Sequence, residues 1–297
     1  MKVDVRLCSL MAAVLTVLTA APVSAASPKN IFPEAARQVE GGRTLQVLVA
    51  QQEIKSDINK SNIAVAAGGG LMMALIDAAV EAERAKKAEA AIVPLRAELQ
   101  DFDADTLAMD TTKKVADQAP WLQPTTLTLG RDSSLVGKSG VLDASVTPQV
   151  AFFEYSYDVS PDFSSIRVGL NMQVANRAVA EGKKPESRLH PKQLAYAQTV
   201  TTVISLPSPS KNMAENAARW SADDGKLARQ ALAAGFEELA VLAPRALSLT
   251  EADLKTMAAR DKKNVVAGGF GGRLQEETPT GKLIYNGALV QVKTIAE

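Results

Sequence analysis

Thiols, histidine, aromatic rings and net charge are all scarce in this chain, and each scarcity removes a class of function. Of 297 residues one is cysteine, Cys8, and one is histidine, His190. A lone cysteine closes no disulfide within the chain and builds no thiolate metal centre. A lone histidine cannot form a multi-histidine zinc site. It could act as the base of a serine hydrolase, but no Gly-x-Ser-x-Gly elbow accompanies it, and Arg188-Leu189-His190-Pro191 reads as a polar loop. Basic and acidic side chains number 33 each, so the strongly basic footprint of a nucleic-acid binder is missing. Neither the Gly and Pro content nor the charge pattern suits a collagen, a coiled-coil rod or a disordered tail.

What is present begins with an export signal. Lys2 and Arg6 precede an apolar stretch from Leu7 to Ala21, and Pro22-Val23-Ser24-Ala25-Ala26 follows with small residues. That is the basic region, apolar core and cleavage site of a signal peptide, with the cut expected between Ala25 and Ala26. An uncleaved span would need about 20 apolar residues, and Pro22 interrupts the run too early. Cleavage removes Cys8, which sits at the start of the apolar run and not at its end, where a lipid-bearing cysteine would lie. The alanine-rich leader is bacterial in style. The expected chain is therefore periplasmic or secreted, free of thiols and without a transmembrane span, and its stability must come from core packing.

Beyond the leader, residues 26–43 read as a flexible arm and 44–297 as one α+β domain. Thr44–Gln51 alternates as a strand. A helix is expected from about Gly70 to Ile92, kinked or restarted at Pro94, and Asp103 is a candidate N-cap for another ending near Pro120. The centre changes to period two: Thr125–Leu129, Val150–Asp158, Ser165–Asn176 and Leu194–Leu206 read as strands. Ile166, Val168, Leu170, Met172 and Val174 alternate strictly with Arg167, Gly169, Asn171, Gln173 and Ala175, which predicts one buried and one wet face. Ser160-Pro161-Asp162 supplies the hairpin turn. Helix is expected again from Ser221 to Pro244, and a short one after Thr250. A closing hairpin turns at Thr278–Gly281, between Arg273–Glu276 and Leu283–Lys293. The fold class expected is α+β, a mostly antiparallel sheet with helices packed on one face.

Candidate chemistry is thin. Gly137-Lys138-Ser139 ends like a phosphate-binding loop, but Asp132 stands where the first glycine belongs and the following residues read as turn and strand. Asp101, Asp103 and Asp105 have the spacing that opens a calcium loop, but Thr106 and Thr112 stand where glycine and glutamate are required. Gly68-Gly69-Gly70 lacks dinucleotide spacing. Gly268-Gly269-Phe270-Gly271-Gly272 reads as a flexible loop or lid. Phe153, Tyr155 and Tyr157 share one strand face that could stack a sugar or peptide, although core is the commoner use of such residues. Lys183, Lys184, Arg188 and Lys192 form a basic loop diluted by Glu181 and Glu186. The strongest association candidate is a ridge of small residues, Gly70, Ala74, Ala78 and Ala82, which recurs at helical spacing and would let another backbone approach closely.

These readings predict an exported cell-envelope protein of binding or assembly type, with no recognisable catalytic machinery, metal or cofactor. Its partner would be an unknown envelope protein, or a second copy through the 63–82 region, and not a nucleic acid. The alternatives are a carboxylate-dependent periplasmic hydrolase, which requires paired carboxyl groups in a cleft with one pKa raised, and an oligomeric component of a secretion or surface-assembly apparatus.

Overall fold

Period-two alternation through the middle of the chain produces the long strands of a ten-stranded sheet, and the helical stretches on either side cover it. The protein is represented by a computed structural model that describes residues 30–57, 71–122, 124–177, 193–259 and 261–296. The leader with Cys8, the cleavage pair Ala25 and Ala26, Gly70, His190 and the basic loop of Lys183, Lys184, Arg188 and Lys192 lie outside the described residues. The strands are β1 (Arg43–Val49), β2 (Lys55–Ser56), β3 (Thr126–Gly130), β4 (Gln149–Val159), β5 (Ser165–Asn176), β6 (Leu194–Ser205), β7 (Asn264–Ala267), β8 (Phe270–Thr278), β9 (Gly281–Tyr285) and β10 (Leu289–Thr294). The helices are α1 (Glu34–Arg37), α2 (Leu71–Glu98), α3 (Ala104–Gln118), α4 (Leu135–Ala144), α5 (Met213–Ser248) and α6 (Glu251–Met257).

The sheet runs β3-β1-β4-β5-β6-β10-β9-β8-β7, with β2 paired to β4. The α+β class holds, but the sheet is mixed and not mostly antiparallel. β1 is parallel to both β3 and β4, β2 to β4, and β10 to β6. The cause is α4. The residues after Lys138, read as turn and strand, are helical, with Ser134 as N-cap accepting from Gly137 N. Parallel neighbours need a crossover, and α4 supplies one between β3 and β4, as α2 and α3 do between β1 and β3.

One face carries Val47 and Val49, Phe153 and Tyr155, Ile166 through Val174 at every second position, and Tyr196 and Val200. All of them join a single core with Ile92 and Leu95 of α2, Val115 of α3, and Leu232, Phe236, Leu239 and Ala243 of α5. Phe153, Tyr155 and Tyr157 are buried there, so the aromatic stripe is core and not a stacking platform. Helix α4 departs from the one-sided arrangement: Leu142 packs with Leu48, Val150, Phe152 and Ala175 on the opposite face. Farther along that face Val203, Ile284, Val290 and Val292 meet Val265, Ala267 and Phe270 of the β7–β8 hairpin. The face expected to be wet is therefore covered at both ends.

Residues 30–43 are docked and not a free arm. Phe32 is buried, its ring centre 4.3 Å from that of Trp121 and 5.4 Å from that of Tyr196. Helix α2 runs on past Pro94 to Glu98, where a kink or restart was expected, and α5 continues through Pro244, a stop that packing overrides. Asp103 caps α3 as the sequence predicts. α5 starts earlier than expected, at Met213 with Asn212 as N-cap, and the start signal at Ser221 instead marks a break at Ala222–Gly225. The stretch 283–293 divides into two strands, β9 and β10. Where α5 crosses the sheet, a Cβ on Gly235 would lie 2.5 Å from Val168 Cγ2, and Thr202 Oγ1 donates to the Gly235 carbonyl at 3.0 Å.

Candidate functional site: a buried carboxylate and arginine cluster

The β4–β5 hairpin, turned at Ser160–Asp162, sets Asp158 directly opposite Arg167. Strand alternation puts Asp158, Ser165 and Arg167 on one face, the one opposite the main core. Lys55 of β2 pairs with Asp158 and delivers Asp57 to the same corner. Arg167 Nη1 donates to Asp57 Oδ2 and lies 3.9 Å from Asp158 Oδ1, an ion pair too long for a hydrogen bond. The guanidinium is 9% exposed, and its carbon sits 5.2 Å from the centre of the Phe270 ring.

Phe270 arrives there because the glycine-rich stretch forms a hairpin turn between β7 and β8. Gly268 and Gly269 both have left-handed φ, +57° and +80°. A side chain on Gly268 would meet Val203 Cγ1 at 2.6 Å, and one on Gly269 would meet Arg167 Nη2 at 3.1 Å. The turn lies on the cluster as a roof.

Burial is the main force raising the Asp158 carboxyl to about 7. Arg167 pulls it back and the neighbouring charge of Asp57 pushes it further up. Three buried polar atoms in this corner, Asp158 Oδ1, Arg167 Nε and Ser165 Oγ, have no hydrogen-bond partner within the protein. They are three of five such atoms among the described side chains. Buried polar groups are nearly always satisfied, so three unpartnered atoms on one face of one hairpin set this corner apart. Together they offer a donor, an acceptor and a hydroxyl that can be either.

Two concavities lie elsewhere. One of about 220 Å³ is lined by Gln52, Glu53, Ile54, Arg96, Leu99, Gln100, Phe102 and Tyr157. Arg96 Nε donates to the Ile54 carbonyl at 3.0 Å and pairs with Glu53 and Glu89. Burial, then the charge of Asp105, raises the Tyr157 phenol. The other, about 440 Å³, is an apolar groove between α2 and the first arm of α5, lined by Ala91, Pro94, Ala214, Ala217, Ala218, Ser221 and Ala222. Neither is lined by Asp57 or Asp158.

The residues singled out from sequence do not meet at one place. Of the small-residue ridge, Gly70 lies outside the described residues. Ala74 and Ala78 fall within α2, but their side chains are not described, and Ala82 is exposed. Asp101 pairs with Arg229, Asp103 caps α3, and Asp105 pairs with Arg131. Lys138 is buried on Glu154 at 2.8 Å and Gln173 at 3.2 Å. Among the described residues no group of three or more His, Cys, Asp or Glu is placed to hold a metal, and no helix is long and apolar enough to cross a membrane. Asp158 and Arg167 escaped the sequence reading because alternation assigned Arg167 to a wet face. The turn signal did not suffice either: counting outward from Ser160–Asp162 sets Asp158 opposite Ser164, whereas the connection runs on to Ser164 and Asp158 falls opposite Arg167.

Comparison with known proteins finds no matching family model, no matching curated protein and no matching solved structure.

Proposed function

We propose that the chain is an exported cell-envelope protein that acts by binding, with the Asp57, Asp158, Ser165 and Arg167 corner as its ligand seat. The carrying observation is that three buried polar atoms on one face of the β4–β5 hairpin lack a partner, with the Gly269 turn packed against Arg167. A fitting ligand presents an acceptor to Arg167 Nε and a donor to Asp158 and carries little net charge, as an amide or an amino-acid zwitterion does. Thermal-shift titration of the purified protein with free amino acids and small amides tests this. The expected result is saturable stabilisation that Arg167→Met and Ser165→Ala each weaken at least about tenfold, roughly 1.4 kcal/mol. Stabilisation left intact in both variants would remove the site. Export is supported by the leader, and amino-terminal sequencing of the protein recovered from cells should begin at Ala26.

The carboxylate-dependent hydrolase is the second reading, favoured by one observation: Asp57 and Asp158 reach the same guanidinium, and one of them has a raised pKa. Against it, Arg167 occupies the space between the carboxylates where a scissile bond would sit. Turnover of a glycan substrate lost in both Asp57→Asn and Asp158→Asn would establish it over the binding reading. Assembly through 63–82 is supported by the exposed Ala82 on α2. That reading expects Ala78→Leu to change the mass of the native particle.

A further inference from the structure

A sheet that does not close has two edges, and here they differ in kind. The β7 edge is four residues long, follows Lys262 and Lys263, and pairs Asn264 with Arg273. Positive charge of this sort keeps an edge from pairing with another strand. The β3 edge, Thr126-Leu127-Thr128-Leu129-Gly130, has no charge, no proline and no bulge in its pairing with β1. Thr126 and Thr128 are exposed and Leu129 is 40% exposed. Of the seven large hydrophobic side chains exposed among the described residues, Leu129, Leu135, Val136 and Val146 fall within the single stretch from β3 to the loop after α4. An unpaired backbone edge flanked by exposed apolar side chains fits an interaction surface.

We propose that β3 pairs antiparallel with β3 of a second copy, joining two molecules across a two-fold axis into one continuous sheet. The unpaired backbone groups of an edge call for an extended strand, and this strand is complementary to itself. Centred on Thr128, the pairing sets Leu127 against Leu129 twice, Thr128 against its own copy and Thr126 against Gly130. Like aliphatic and like hydroxyl neighbours across a ladder are favourable. The nearest charges in sequence, Arg131 and Asp132, fall opposite Thr125 and Pro124, so no charge faces a like charge. Arg131 is moreover held on its own molecule by Asp105 and by the Val49 carbonyl at 2.9 Å. This surface is separate from the Asp57, Asp158, Ser165 and Arg167 corner, so that reading does not affect it.

Sedimentation equilibrium of the purified protein from about 1 to 100 µM should show reversible doubling of mass. Leu129→Lys should weaken the dimer at least about tenfold while leaving the circular dichroism and melting temperature unchanged. Thr128→Cys should cross-link to its own copy on mild oxidation. Thr126→Cys, which faces glycine, should not. A strict monomer at 100 µM overturns the proposal. So does a dimer that ignores Leu129→Lys, and so does equal cross-linking through both cysteine variants.

Discussion

At the scale of single residues, burial decides what the charged groups do. Arg43 is buried and answers to neutral acceptors: the carbonyls of Trp121, Ala36 and Arg37, and Gln149 Oε1 at 2.7 Å. Its guanidinium lies over the rings of Phe32 and Trp121. It thereby ties the amino-terminal segment to the turn before β3 and to the start of β4. Lysine keeps the charge but not the planar fork. Arg43→Lys should cost about 2–3 kcal/mol in urea unfolding, because several carbonyls lose their donors at once.

Asp158 titrates near 7 when folded and near 3.9 when unfolded. Between those values the folded chain holds the extra proton. The stability from this group is complete below about pH 4 and is lost as pH rises through 7. Asp158→Asn removes that dependence. Its melting temperature relative to the parent should rise by a few degrees from pH 5 to pH 8, and a constant difference across that range would contradict the assigned burial.

At the scale of elements, close approach and backbone strain set the terms. Helix α5 meets the sheet through Gly235, where a methyl group would collide with Val168. Gly235→Ala should cost about 1–3 kcal/mol even though alanine is the better helix former. The break in α5 holds Asp223 and Asp224 at φ of 51° and 56°, a region costly for residues with a Cβ. Asp224→Gly should therefore raise stability by roughly 0.5–1 kcal/mol in thermal melts, since its carbonyl, which accepts from Arg229 Nε, is retained. Capping was legible locally: Asp103 and the Thr250–Asp253 box stand where the sequence places them. The passage of α5 through Pro244 was not, because the packing that overrides a proline comes from distant strands.

At the scale of the whole molecule, one sheet runs through every part, from β3 beside residue 126 to β7 beside residue 264. A core shared by Phe32, Ile92, Val115, Phe153, Leu232 and Leu289 leaves no seam along which to divide it. Unfolding followed by Trp220 fluorescence and by far-ultraviolet circular dichroism should give coincident transitions. Two separated transitions would show independently folding parts.

Local pattern was enough to determine the α+β class, the long central strands, the β4–β5 hairpin and the helix starts at Asp103 and Thr250, because periodicity and capping depend on neighbours in sequence. The order and direction of the strands were decided only in three dimensions. One helix of ten residues, α4, lies on the path from β3 to β4, and from the sequence its second half reads as turn and strand. The carboxylate and arginine corner was likewise decided by tertiary structure. Asp57, Asp158, Arg167 and Gly269 are separated by up to 212 positions, and their burial, the raised carboxyl pKa and the unpartnered atoms exist only once the sheet curls the β7–β8 turn back over β5.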